Sequence, residues 1–235
     1  MWYPESKLEL EEFIDNTFKK KPKINSKKIN GLIVPHAGYE YSGDIAGRAF
    51  SLLKGKKLDR AIVIGPSHYV SLLGALTSKS EEWKTPLGTI KIGKINLPLG
   101  DIEKEHSIKN QIPFLQKIGI KEIISIMVGE ITNEEAKELA KKISKISAIY
   151  IFSTDLSHFM EYGQAKEIDK KTINIIEKLN LENFKDVDAC GYFPLLVLMH
   201  LCKIKKTHPK LIDYKNSGEV TINKTSVVGY ASFYF

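Results

Sequence analysis

Arginine is nearly missing from this chain: Arg48 and Arg60 stand alone among 35 basic residues. The remaining positive charge is lysine, and the formal net charge is +7. Forked recognition of phosphates and base edges relies on the planar guanidinium, whereas scattered lysine mostly solvates a surface. The lysine clusters "KKKPKINSKK" and "KIKK" follow that pattern, the first reading as a helix end followed by a loop, so nucleic acid is not expected as a partner. Cysteine is equally scarce. Cys190 and Cys202 are the only two and form no CxxC pair, which excludes a disulfide framework and a structural zinc knot. A reducing, cytoplasmic setting is expected. Long apolar runs are also missing: the interrupted "YFPLLVLMHLC" falls short of the roughly 18 residues that a membrane span needs. No membrane partner is expected. The opening "MWYPESKLELEEF" lacks the basic-then-apolar order of a secretory leader.

What remains is an ordinary globular composition, 43% hydrophobic and 27% charged over 235 residues. That is enough chain for one large core, and with no linker or repeat visible a single domain over 1–235 is expected. Short buried strands are read at "GLIV" (31–34), "AIVIG" (61–65), "EIISIMV" (122–128) and "AIYIF" (148–152). "LLGALTS" and "GTIKIG" read as a pair of shorter strands flanking "EEWKTP", and "PKLIDYKN" and "SVVGYASFYF" as two strands closing the chain. Helices are expected after the capping boxes Ser6/Glu9 and Thr132/Glu135, near 44–53, through "SIKNQIPFLQKI" with Pro113 inside, near 164–179, and at 194–205. Apolar strands alternating with helical patterns predict an α/β fold: a mainly parallel sheet covered by helices on both faces.

In such sheets ligands bind outside the carboxyl ends of the strands. Three exits carry histidine: "GLIVPHAGYEYSG" gives His36, "AIVIGPSHY" gives His68, and "AIYIFSTDLSHF" gives Asp155 and His158. Rival motifs fail. "GYEYSGD" has the glycine spacing of a phosphate loop, but Asp44 stands in place of its lysine. "GPSHY" puts Ser67 on a turn, but Tyr69 replaces the second glycine of a nucleophile elbow. Converging neutral imidazoles with one anion suit a transition metal, and two histidines plus a carboxylate is the pattern of non-haem iron oxygenases. Asp155, Glu105 of "EKEHSIKNQIP" and Cys190 of "DACGYFP" are the candidate anions. Cys202 falls in an apolar helix and reads as core. Cys190 precedes Gly191 near a helix N-terminus, where thiolate is favoured.

Taken together, "WYP", "VPHAGYEYSG", "GPSHY", "TPLG", "EHSIKNQIPFLQ", "STDLSHF" and "CGYFP", in this order over nearly the whole chain, resemble the Memo family (mediator of ErbB2-driven cell motility and its archaeal and bacterial relatives). The family fold is similar to class III extradiol dioxygenases of the LigB type. The resemblance implies metal ligands at His36, His68 and Cys190, with cysteine where the dioxygenases use a carboxylate. It also implies that Glu105, His106, Asp155 and His158 line the same site. The chain departs from the family pattern by starting almost at "WYP" and by being short between Tyr162 and Cys190. The expected function is a metal-dependent, dioxygenase-like oxidoreductase holding iron or copper, with zinc a further candidate. His158 would be the acid/base, Asp155 would orient it, and His106 and Glu105 would stand behind the ligands. The rival is a non-catalytic protein that keeps the pocket to capture a metal, a peptide or a small molecule.

Overall fold

The computed structural model describes residues 2–24, 26 and 28–235, so Asn25 and Lys27 of the "KKKPKINSKK" stretch lie outside the described residues. In chain order the elements begin with α1 (Lys7–Lys19), β1 (Gly31–Val34), α2 (Asp44–Ser51), β2 (Arg60–Pro66), β3 (Ala75–Ser78), β4 (Glu82–Thr85), β5 (Gly88–Ile92) and β6 (Leu99–Gly100). There follow α3 (His106–Lys109), α4 (Ile112–Lys117), β7 (Glu122–Val128), α5 (Asn133–Ser144), β8 (Ile149–Ser153) and β9 (His158–Met160). The chain ends through α6 (Tyr162–Lys178), α7 (Tyr192–Lys205), β10 (Lys210–Asn216) and β11 (Val227–Tyr234).

The β-branched runs become the centre of one sheet because their side chains pack well on a pleated surface and poorly on a helix. Its order is β10-β11-β1-β8-β2-β7-β3-β6, with β5 also pairing β7, β4 pairing β5, and β9 pairing β11. The central four, β1, β8, β2 and β7, are mutually parallel, and antiparallel β11 and β3 flank them. Alternation along each strand divides the core in two. Ile33, Ile62, Ile64 and Phe152 face α5, α6 and α7, while Leu32, Val34, Val63 and Ile151 face α1, α2 and α4. The expected α/β architecture is what forms.

Local signals set the helix starts. Thr132 and Glu135 exchange both bonds of a capping box, whereas Ser6 only accepts from the Glu9 amide, at 3.4 Å. α7 is apolar nearly all round and is correspondingly buried. Among the described residues no helix is long and apolar enough to cross a membrane.

Two local expectations are corrected. The strands read at "LLGALTS" and "GTIKIG" form as β3 and β5, but "EEWKTP" between them is itself a strand: β3 pairs β7 and β6, and β5 forms a hairpin with β4 inside "EEWKTP". Trp83 drives this, fully buried with its indole N–H donating to Ser78 Oγ at 3.2 Å. The helix expected through "SIKNQIPFLQKI" breaks into α3 and α4. Pro113 has no N–H to continue a helix, and it sits in the first turn of α4, where none is needed. The break frees Asn110 and Gln111 for other work.

Candidate metal centre

Register makes the central strand ends level: Val34 lies opposite Ser153, and Ile64 opposite Phe152. Each chain then turns over the same edge. His36 stands two residues past the end of β1, His68 two past β2, and Asp155 two past β8. Cys190 arrives in the loop before α7. Its Sγ accepts from the Asp155 amide at 3.2 Å, and the next amide, Gly191, donates to Thr154 Oγ1 at 2.9 Å. A Cβ on Gly191 would meet Thr154 Cβ and Oγ1 at 2.5 Å, so glycine lets this loop seat on the strand exit.

His36 Nε2 lies 3.2 Å from Cys190 Sγ, and donor atoms of His36, His68 and Cys190 all fall within 4.8 Å of one another. Ligands at about 2.0–2.3 Å around one ion stand roughly 3.3–3.7 Å apart, so small closures would complete the set. The remaining ring nitrogens are held. His68 Nδ1 lies 2.8 Å from Glu105 Oε1, and its amide donates to Oε2 at 2.8 Å. A carboxylate acceptor places the proton on Nδ1 and leaves Nε2 with a lone pair. His36 Nδ1 lies 2.9 Å from Ser153 Oγ, which also accepts from Gln111 Nε2 at 2.9 Å. Asn110 Nδ2 donates to His36 O at 2.7 Å. The donor chemistry fits a soft or borderline transition metal: two preset imidazoles and one sulfur.

Electrostatics differ between the anions. Burial would raise Glu105, but the hydrogen bonds from His68 and the Ser107 amide overcome it and hold the carboxyl at about 2. Burial pushes Asp155 up to about 6, against the pull of the His36 amide, which donates to Oδ1 at 2.8 Å. Burial, then the Asp155 charge, pushes the Cys190 thiol up. The helix N-terminus was expected to favour thiolate there; burial without a metal outweighs it. Burial and the neighbouring His68 hold His36 well below the usual histidine range. At neutral pH both carboxylates are therefore largely ionised, while His36 and the Cys190 thiol stay uncharged and face each other across 3.2 Å.

The other expected residues are near, in different postures. His106 opens α3, stacks on Trp2 with centroids 4.0 Å apart and planes 7° apart, and meets His36 edge-on. Burial holds it down at about 3. His158 opens β9, half-buried, and lies near enough to influence both His36 and Asp155. Among the described residues no hydrogen bond joins Asp155 to His158; Asp155 is spent on the His36 backbone instead. Sequence reasoning missed Ser153, Asn110 and Gln111 as supports. Their signal was polar residues adjoining buried apolar runs, inside "STDLSHF" and "EHSIKNQIP". At the opposite edge of the sheet, a cavity of about 630 Å³ lined by Lys57, Arg60, Lys91, Lys121 and Glu122 among others carries no histidine or cysteine.

Comparison with known proteins gives a consistent answer. The family model described as Memo-like protein matches residues 1–234. A MEMO1 family protein of Sulfurisphaera tokodaii is 36% identical over 91% of this chain and 86% of its own length. One from Methanobrevibacter smithii is 33% identical over 100% of this chain and 96% of its own. One from Aquifex aeolicus is 30% identical over the same shares, 100% and 96%. With the motifs, the fold and the match over nearly its full length in agreement, the chain belongs to the Memo-like family.

Proposed function

We propose that this chain is a metal-binding protein with oxidoreductase character, its ion held by His36 Nε2, His68 Nε2 and Cys190 Sγ. The observation that carries the reading is the meeting of three donors, from three separate segments, within 4.8 Å. Soft sulfur with two imidazoles favours iron(II), copper(I) or zinc over magnesium or calcium. Bound there, iron or copper would supply Lewis-acid and one-electron chemistry, as in a dioxygenase-like site. The chain's own residues do the rest. Glu105 and Ser153 fix the tautomers of His68 and His36. Asp155, near 6, can hold or release a proton at Oδ2, which lies 4.0 Å from His36 Nε2. His158 stands at the rim as the acid/base that exchanges protons with a ligand. A reducing, cytoplasmic compartment would keep Cys190 available.

Metal content tests the reading first. His36→Ala and Cys190→Ala are each expected to lose bound metal while remaining folded by circular dichroism; wild-type metal content in both variants would overturn the site. A second reading is that the pocket only captures a ligand, a peptide or small molecule. It is favoured by Trp2 and Tyr69, exposed aromatic side chains that pack on His106. Oxygen uptake by protein loaded anaerobically with iron(II) separates the two: turnover supports the oxidoreductase, and its absence with full iron occupancy supports capture.

A further inference from the structure

His106 is the unexplained group in this site. It is only 8% exposed, and its Nδ1 is buried with no hydrogen-bond partner among the described residues. Glu105 Oε1 lies 3.4 Å from it, outside hydrogen-bond geometry. The same oxygen lies 2.8 Å from His68 Nδ1. Two imidazole edges thus flank one carboxylate oxygen, their ring centroids 4.3 Å apart and their planes at 39°. Donor atoms of His68, Glu105 and His106 all fall within 4.8 Å of one another.

We infer that His68, Glu105 and His106 form a second cation position beside the first, taking a borderline divalent ion such as zinc(II) or iron(II). Its donor set, two imidazoles and one carboxylate, is harder than the thiolate set and needs no cysteine. Trp2 locks the His106 ring in place by stacking, so the bare nitrogen is held ready. Ser107 keeps the carboxylate in place through its amide, 3.0 Å from Oε1, and its hydroxyl ties α3 to the end of β2 by donating to Pro66 O at 2.9 Å. When the cation enters, the proton on His68 Nδ1 leaves to solvent and the ion takes its place on Glu105 Oε1. With both positions filled, His68 would have given up its only ring proton and would face them as an imidazolate, one nitrogen to each. The inference extends the metal-binding reading through His68, but it does not depend on Cys190.

The test is titration of metal-free, reduced protein with cobalt(II), reading stoichiometry by equilibrium dialysis and sulfur ligation by the thiolate-to-metal absorption band. Wild type is expected to take two equivalents, only one of which raises the band. His106→Phe keeps a ring against Trp2 but removes the nitrogens; it should take one equivalent with the band intact. Cys190→Ser should take one equivalent with no band. A wild type that takes a single equivalent with the full band overturns the second position and leaves the first standing. A His106→Phe protein that still takes two equivalents overturns it as well. A single equivalent without the band, lost in His106→Phe, would instead support the second position and overturn the first.

Discussion

Glu105 and Ser153 lie outside the His36–His68–Cys190 donor set, yet each decides which histidine nitrogen faces the metal position proposed there. Glu105 grips His68 by ring and amide at 2.8 Å each, whereas Ser153 holds His36 by one hydroxyl contact at 2.9 Å. Glu105→Gln should therefore weaken metal binding by about 10–100-fold, the usual cost of losing such a partner, and Ser153→Ala by less. Competition against a chromophoric chelator reads both, and equal losses would contradict the ranking. The two cysteines divide just as cleanly. Cys202 is fully buried on α7, where burial pushes its thiol up to about 12, so it should resist alkylation until the protein unfolds. Cys202→Ala should cost roughly 1 kcal/mol or somewhat more in urea melts without changing metal content. Burial pushes the Cys190 thiol up as well, so access sets the order: Cys190, partly exposed, should react first and be protected by metal. Modification of Cys202 ahead of Cys190 in the native protein would mean that core and site are exchanged.

At the scale of elements, the site depends on how closely α3 approaches β2. A Cβ on Gly65 would meet Ser107 Oγ at 2.4 Å, so Gly65→Ala must push away the turn that carries Glu105 and His106. Overpacking of this kind costs about 1–3 kcal/mol, and here it should also lower metal affinity. Calorimetry of variant and wild type, with and without metal, measures both; lost stability with unchanged affinity would show that the α3–β2 spacing does not set the site. A second latch is Asp169 of α6, fully buried, which accepts from the Ser157 amide at 2.9 Å and from the Tyr214 hydroxyl at 2.7 Å. It anchors the turn leading to His158. Asp169→Ala would strand both donors, at about 1–3 kcal/mol for each buried group left unpaired. Chemical denaturation reads that loss, and a change below 1 kcal/mol would mean that water replaces the carboxylate. These elements also explain what the sequence could disclose. Parallel central strands are apolar on both faces, so "GLIV" and "AIVIG" stand out as unbroken runs, and with them the exits bearing His36 and His68. The β4–β5 hairpin did not stand out, because only Trp83 of its first strand is buried and "EEWKTP" otherwise looks like a loop. Nor did the supports. The Asn110 bond to His36 spans 74 residues of chain, and no local pattern encodes a contact that depends on a helix breaking at Pro113.

For the whole molecule, the proposed ion would join segments that the chain keeps far apart: the exits of β1 and β2 in its first third and the loop before α7 near its end. Metal that binds the folded site and not the unfolded chain stabilises by mass action, about 4 kcal/mol at a thousandfold excess over the dissociation constant. For a chain of this size that corresponds to a rise in melting temperature on the order of 10 °C. The proton balance gives this rise a direction with pH. Burial keeps the Cys190 thiol protonated in the metal-free protein, so metal uptake must displace that proton. The stabilisation should therefore shrink as pH falls and grow as it rises, while the melting temperature without metal need not follow the same course. Thermal melts with and without metal at several pH values, repeated on Cys190→Ser, make the comparison. The metal-dependent rise should fall sharply in the variant and lose the part of its pH dependence that comes from the thiol. An undiminished rise in Cys190→Ser, with the same pH dependence as wild type, would show that the stabilising ion is not held by the cysteine.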